Sequence, residues 1–275
     1  MNTRAVRAVA RKDLRIALRN KGVVLPIIIV PLIMMILMPA LMIFLPIYLE
    51  PMETGEELRR EMGAFFANMP AELYNLFAGL NDQQTWVVVA SMFMFAPFFL
   101  IIPVMVSSVI GADSFAGEKE RKTLEALLYT PITSAELFIG KVLAAFLPAM
   151  VVSWACFVLY TVVVNAAGLM VLGRMFFPNL AWIVLILWVV PAAAALGIGV
   201  IVLVSAKAKS FQDAYQMSGL VVIPIILLLF GQMGGILYFS TPTVALIGLA
   251  IWAVDAVLLA IAVRTFGRGE IIARL

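Results

Sequence analysis

Histidine is absent from this 275-residue chain. That removes histidine metal sites, Ser-His-Asp triads and histidine proton relays. Cysteine occurs once, as Cys156 inside an apolar run, so no disulfide can form within the chain and the redox compartment stays open. With no histidine to activate it, that thiol reads as packing. Charge is scarce too: 13% of residues are Asp, Glu, Lys or Arg, against about 25% in soluble domains. No nucleotide-binding P-loop is present, since the only Gly-Lys pair is Gly140-Lys141 and it is followed by Val142 with Ala135 where the first glycine belongs. The N-terminus is not read as a cleavable signal, because its basic stretch and its apolar run are both too long and no small-residue cleavage site follows.

What the chain has is hydrophobic sequence, 64% of it, in runs long enough to cross about 30 Å of hydrocarbon. Six spans are expected, at roughly 23–47, 85–110, 142–167, 179–204, 218–239 and 243–263. Prolines interrupt most of them, which a helix bundle tolerates when neighbours re-satisfy the freed carbonyls. The expected fold is therefore an all-α membrane protein: residues 1–22 form an N-terminal amphipathic helix and 23–275 a single six-helix transmembrane domain. Its connections are an outer loop at 48–84, a loop at 111–141, a second loop at 205–217 and a tail at 264–275.

Residues 2–22 carry seven basic side chains. At helical spacing Arg4, Arg11, Arg15 and Arg19 share one face and Val6, Ala10, Leu14 and Ala17 another, with Asp13 interrupting the apolar stripe. This reads as an interfacial helix on an anionic leaflet, the alternative being a disordered basic tail. The N-terminal segment, 111–141, 205–217 and 264–275 share one side if six spans hold, and together they contain 16 of the 19 lysines and arginines. The positive-inside rule then makes both termini cytoplasmic. The 48–84 loop is acidic, with Glu50, Glu53, Glu56, Glu57, Glu61, Glu72 and Asp82. Leu58, Met62, Phe65, Phe66 and Met69, then Leu73, Leu76, Phe77 and Leu80, fall at helical spacing and predict two short helices resting on the membrane surface or on a partner. The Gly231–Gly235 stretch is read either as a tight turn or as a break before a short re-entrant piece, and Gly231 and Gly235 also form a weak G-x-x-x-G pair.

The 111–141 segment is the most informative. Glu118, Lys119, Glu120, Arg121, Lys122 and Glu125 are dense in charge, and Leu124, Leu127 and Leu128 line one face of a short helix ending near Thr130-Pro131. Thr133 with Glu136 three residues on is a capping box opening a helix that runs through Gly140-Lys141 into the third span. A loop that only joins two spans needs no leucine stripe, so a docking surface is expected.

The stretch GEKERKTLEALLYTPITSAELFIGK, Gly117 to Lys141, resembles the signature of ABC-2 type transporter permeases, and Phe211-Gln212-Asp213-Ala214 does so more faintly. The basic leading helix, the six spans and the loop after the second agree with that resemblance. It implies the membrane subunit of an ATP-driven exporter, pairing with a second permease, as a homodimer, and with two copies of a separate ABC ATPase. ATP and Mg would be bound by that partner, leaving no cofactor or metal in this chain. It further implies a coupling helix carried by Glu118, Glu120, Arg121, Thr123, Leu124, Glu125, Leu127 and Leu128, with Lys207, Lys209, Phe211 and Asp213 as a lesser contact, and a re-entrant segment between the last two spans. The expected setting is the cell membrane with its lipids, and nothing points to nucleic acid.

Two other classes make different demands on the sequence. An ion-coupled secondary transporter needs intramembrane ionisable groups, and only Asp255 qualifies. An intramembrane enzyme needs paired aspartates, H-E-x-x-H or G-x-S-x-G, and the spans contain none. The sixteen methionines are spread over the apolar runs and read as gap-filling.

Overall fold

The computed structural model describes residues 1–48, 62–123 and 132–265, the last three by backbone alone. Among the described residues every regular element is helical and six helices are long and apolar enough to cross a membrane. In chain order they are α1 (Thr3–Arg19), α2 (Lys21–Tyr48), α3 (Gly63–Ala67), α4 (Ala71–Tyr74), α5 (Asp82–Glu120), α6 (Ser134–Val171), α7 (Leu180–Ser205), α8 (Phe211–Met233) and α9 (Thr241–Thr265). The side of the bundle that carries α1 is called proximal and the other side distal.

The central helix is α5. Its most apolar window is 83% buried, whereas those of α8 and α9 are only 17% buried. It packs against α6 and α7, and α9 packs outside α7. At 39 residues, α5 is about 58 Å long at 1.5 Å per residue, far more than a bilayer core needs. Residues 111–120 continue α5 as helix beyond the expected second span, and 134–141 are the helix expected to run into the third span. Helix α6 starts where the sequence says: Thr133 accepts the amide of Glu136 and the Glu136 side chain accepts the amide of Thr133.

Proline explains most of the irregularity. Four π-turns occur among the described residues, at Ile33–Leu37, Ala90–Met94, Asp113–Gly117 and Leu185–Val189. Pro39, Pro97 and Pro191 each lie four residues after a member of one of them, namely Met35, Phe93 and Leu187. A proline ring clashes with the carbonyl four residues back and offers it no N–H, so a wider turn relieves the clash. In the turn before Pro97, Tyr160 Oη donates to the Ser91 carbonyl at 2.7 Å and Trp182 Nε1 to the Met92 carbonyl at 3.0 Å. Those two rings stack with centroids 5.2 Å apart, which fixes the middle of the bundle. The fourth π-turn, Asp113–Gly117, has no such proline and lies at the functional site.

At the distal end α3 and α4 pack on the chain itself: Phe65 packs with Val88, Val89, Phe93 and Tyr238, with Met62, Phe66, Leu73 and Phe77 around them. Between α8 and α9 the tight turn is what stands: residues 234–240 contain no helix and form a turn at Gly234-Gly235 followed by irregular chain. Gly235 has φ +68° and a Cβ there would lie 2.0 Å from the Ala64 carbonyl oxygen, so its role is the approach to α3. Gly231 meets no other helix closely among the described residues, so Gly231 and Gly235 do not act there as a helix-packing pair. The expectations attached to Leu58, to Glu50, Glu53, Glu56, Glu57 and Glu61, and to the tail from 266 onward lie outside the described residues.

Candidate functional site

Helix α1 lies along the first turns of α6. Asn2 caps it, its side chain accepting the amides of Arg4 and Ala5, and the Asn2 amide itself donates to Glu136. The buried face is Val6, Val9, Asp13 and Ala17, rotated from the expected stripe, with Ala10 and Leu14 only partly covered. The rotation follows from Gly140: a Cβ there would stand 2.7 Å from Val9 Cβ and 3.1 Å from the Val6 carbonyl oxygen. Absence of that atom lets α1 sit directly on α6, and Asp13 is carried inward rather than interrupting an apolar face.

Asp13 is 3% exposed and Lys141 is fully buried. Charges taken from water must be paired and hydrogen-bonded, and these are. Lys141 Nζ donates to the Glu118 carboxylate, to the Ser114 carbonyl, and at 3.3 Å to Asp13 Oδ2. Its ammonium also sits 5.3 Å from the centre of the Phe115 ring. The Ser114 hydroxyl donates to Asp13. Lys12, half-exposed, pairs with Glu118 and lies 2.9 Å from Asp13 Oδ1. Two carboxylates and two ammoniums therefore join three segments: α1, the end of α5 and the start of α6. Burial opposes ionisation of Asp13, but Lys141, Ser114 and Lys12 outweigh it and hold the carboxyl below its ordinary value. Burial likewise opposes the charge on Lys12, and Glu118 with Asp13 outweigh it and push the ammonium up.

A second pair closes the end of α5. Arg121 reaches back one π-turn to Asp113, Nη1 to Oδ1 at 2.9 Å and Nη2 to the Asp113 carbonyl at 3.2 Å. Asn20, at the junction of α1 and α2, donates to the same carboxylate at 3.4 Å. The wider turn at Asp113–Gly117 brings both Asp113 and Glu118 inward, which gives the one π-turn without a proline its purpose. After Glu120 the chain leaves the helix. Lys122 takes a positive φ of 55°, and the Thr123 amide and hydroxyl both donate to the Glu118 carbonyl at 3.0 and 3.3 Å.

The sequence-predicted residues fall into four sets. Glu118 is 2% exposed and engaged by Lys12 and Lys141, so its carboxylate faces into the chain and holds the segment in place. Glu120 Oε2 accepts the Phe211 amide at 2.9 Å, so the end of α5 and the 205–217 loop lie side by side. There Ser210 caps α8 by accepting the Asp213 amide, Phe211 stacks on Tyr215, and Lys207 and Lys209 are exposed. Leu124, Glu125, Leu127 and Leu128 lie outside the described residues. Asp255 is remote from all of these, in the middle of α9, 7% exposed and with no partner for either carboxylate oxygen among the described residues. Asp13, Asp113, Ser114 and Lys141 were not singled out from sequence. The available signal was an aspartate at apolar spacing with Val6, Val9 and Ala17, and a lysine between Phe138 and Ala144-Ala145: two charges in burying positions demand each other.

Among the described residues no cluster of side chains suits a metal ion. The proximal end is braced from within by charge, which ties α1, the end of α5 and the start of α6 together. Residues 7–245 match the family model described as ABC-2 family transporter protein. No curated protein matches the chain.

Proposed function

The chain belongs to the ABC-2 family of transporter proteins, and from that membership we propose that it is the permease subunit of an ATP-driven exporter. It would form the translocation path with a second copy of itself and take its energy from two copies of a separate ABC ATPase, which bind ATP and Mg. The segment from Glu118 to Leu128 is the coupling element, with Lys207, Lys209, Phe211 and Asp213 beside it as the second contact. We assign the proximal end to the cytoplasm, and the protein to the cell membrane, because 16 of 19 basic residues lie on that side.

One observation carries the proposal furthest. The ends of α5 and α6 that flank the coupling segment are tied to α1 through Asp13, Lys12, Glu118 and Lys141. A leucine-faced segment on so stiff a base suits docking in a groove: apolar side chains anchor and the flanking charges set register. Closure of the ATPase pair on ATP would pull both coupling segments, and α5 would transmit the pull through the centre of each bundle as a rigid-body shift.

The test is co-purification of the chain with its ATPase. Leu124→Asp with Leu128→Asp is expected to abolish the complex and its coupled ATP turnover while leaving the permease folded. An unchanged complex would sink the assignment. A second reading, an ion-coupled carrier, rests on Asp255, whose carboxylate has no partner among the described residues, and is separated from the first by Asp255→Asn.

A further inference from the structure

Arg4, Arg7, Arg11, Arg15 and Arg19 on α1 and Lys21 at the start of α2 are all exposed. None of these side chains forms an ion pair among the described residues. Asp13 is the only acidic residue before Glu50 in the sequence, and it faces the other way, buried beside Lys141. At 3.6 residues per turn Arg4, Arg7, Arg11 and Arg15 fall within about 80° of one another, opposite the buried Val6, Val9, Asp13 and Ala17. Like charges four residues apart, as in Arg7, Arg11, Arg15 and Arg19, repel. The row is therefore unfavourable until something anionic covers it.

Position says what that cover is. Asn20 alone separates α1 from α2 and caps the latter, accepting the Gly22 amide at 3.0 Å. Helix α2 is long and apolar enough to cross a membrane, and its Leu25, Ile28 and Ile29 are exposed within its first turns. From Asn2 to Asp13 α1 advances about 17 Å, whereas their partners Glu136 and Lys141 are about 8 Å apart along α6. Helix α1 therefore runs obliquely across the first turns of α6 instead of projecting straight away from the bundle, and its arginines stay near the level where lipid heads surround α2. The mode of contact follows from what α1 has spent. An interfacial helix inserts an apolar stripe between lipids, but Val6, Val9 and Ala17 are buried against the bundle. The large apolar side chains of α1 left exposed are Ile16 and Leu18, which point to opposite sides of the helix. No stripe remains to insert, so attraction to the membrane is by charge and falls off within a Debye length.

We propose that the arginine face of α1 is a binding surface for anionic phospholipid heads of the proximal leaflet, held by charge and not by insertion, with Arg4, Arg7, Arg11 and Arg15 as its contacts. The surface is preformed. Lys141 and Ser114 hold Asp13 inward, and the bare Gly140 seats Val9, so the arginines are turned outward before any lipid arrives. The inference rests on α2 spanning the membrane and not on the ATPase partner, which the main experiment omits.

The test uses the full chain in phosphatidylcholine nanodiscs carrying a trace of phosphatidylglycerol with a diazirine at the head of its acyl chain. Labelled residues are located by mass spectrometry, and phosphatidylcholine with the same diazirine is the neutral reference. Residues 3–19 are expected to take the anionic label in clear excess over the neutral one. Each arginine near an anionic surface is worth about fivefold in affinity, so Arg11→Gln with Arg15→Gln should lower that excess about 25-fold. Arg11→Lys with Arg15→Lys should keep it, because the charge is kept. Salt at about 1 M, where the Debye length is about 3 Å, should abolish it. Melting temperatures of both variants should match the parent, since both positions are exposed. Equal labelling by the two lipids overturns the proposal, as does an excess that survives high salt or the two glutamines, or one lost equally with lysine and with glutamine. A glutamine variant that keeps its lipid label but no longer co-purifies with the ATPase also overturns it, and makes the row a protein contact.

Discussion

Lys141 is the residue on which the proximal end turns. It is fully buried, and its ammonium is the meeting point of Asp13 and Glu118. Removing one member of a buried ion pair costs more than replacing the whole set, because a charge is left without a partner. Lys141→Met is therefore expected to lower unfolding free energy by about 3–5 kcal/mol, measured by chemical denaturation in detergent. Adding Asp13→Asn and Glu118→Gln should recover most of it. The signs of the pKa shifts define a pH window. Asp13 is held below 3.8, so its contribution is present above that pH and is lost as pH falls through the depressed native value. Lys12 is raised above 10.5, so its contribution is present below that pH and is lost as pH rises through the raised value. The expected result is a flat melting temperature across neutral pH with an acid limb that Asp13→Asn removes.

Among the elements, α1 depends on one absent atom. At Gly140 any Cβ meets both a side chain and the Val6 carbonyl oxygen, and a carbonyl in a helix cannot yield. Gly140→Leu should lift α1 away at a cost of about 1–3 kcal/mol. Trypsin would then cut at Arg7 and Arg11 faster than in the parent, while the six long helices stay protected. The start of α6 was legible in the sequence, because a Thr133–Glu136 capping box is local. The inward face of α1 was not: hydrophobic periodicity alone favoured Ala10 and Leu14, and the face was chosen by a glycine 131 positions after Val9. The extension of α5 to Glu120 also escaped, since charge after Gly117 looks like a loop until its partners on α1 and α6 are in place.

At the scale of the whole molecule, α8 and α9 are the least buried spans, and Asp255 lies in α9 beyond the family match, which ends at residue 245. Under ATP-driven export, Asp255→Asn should leave ATP-dependent transport in proteoliposomes unchanged within a factor of about two. Abolition of transport with ATPase binding intact would favour the ion-coupled reading. The sequence by itself determined the membrane class, the number of spans and the position of the charged segment, because each depends on local composition measured against the thickness of a bilayer. It also carried the family, through one contiguous motif. Only the tertiary structure decided that Glu118 faces inward, that α3 and α4 cover this chain's own distal end, and that Gln232 is buried with no partner among the described residues. Those outcomes depend on which distant surfaces meet, and a one-dimensional pattern states that a charge or an amide must find a partner without saying where the partner stands.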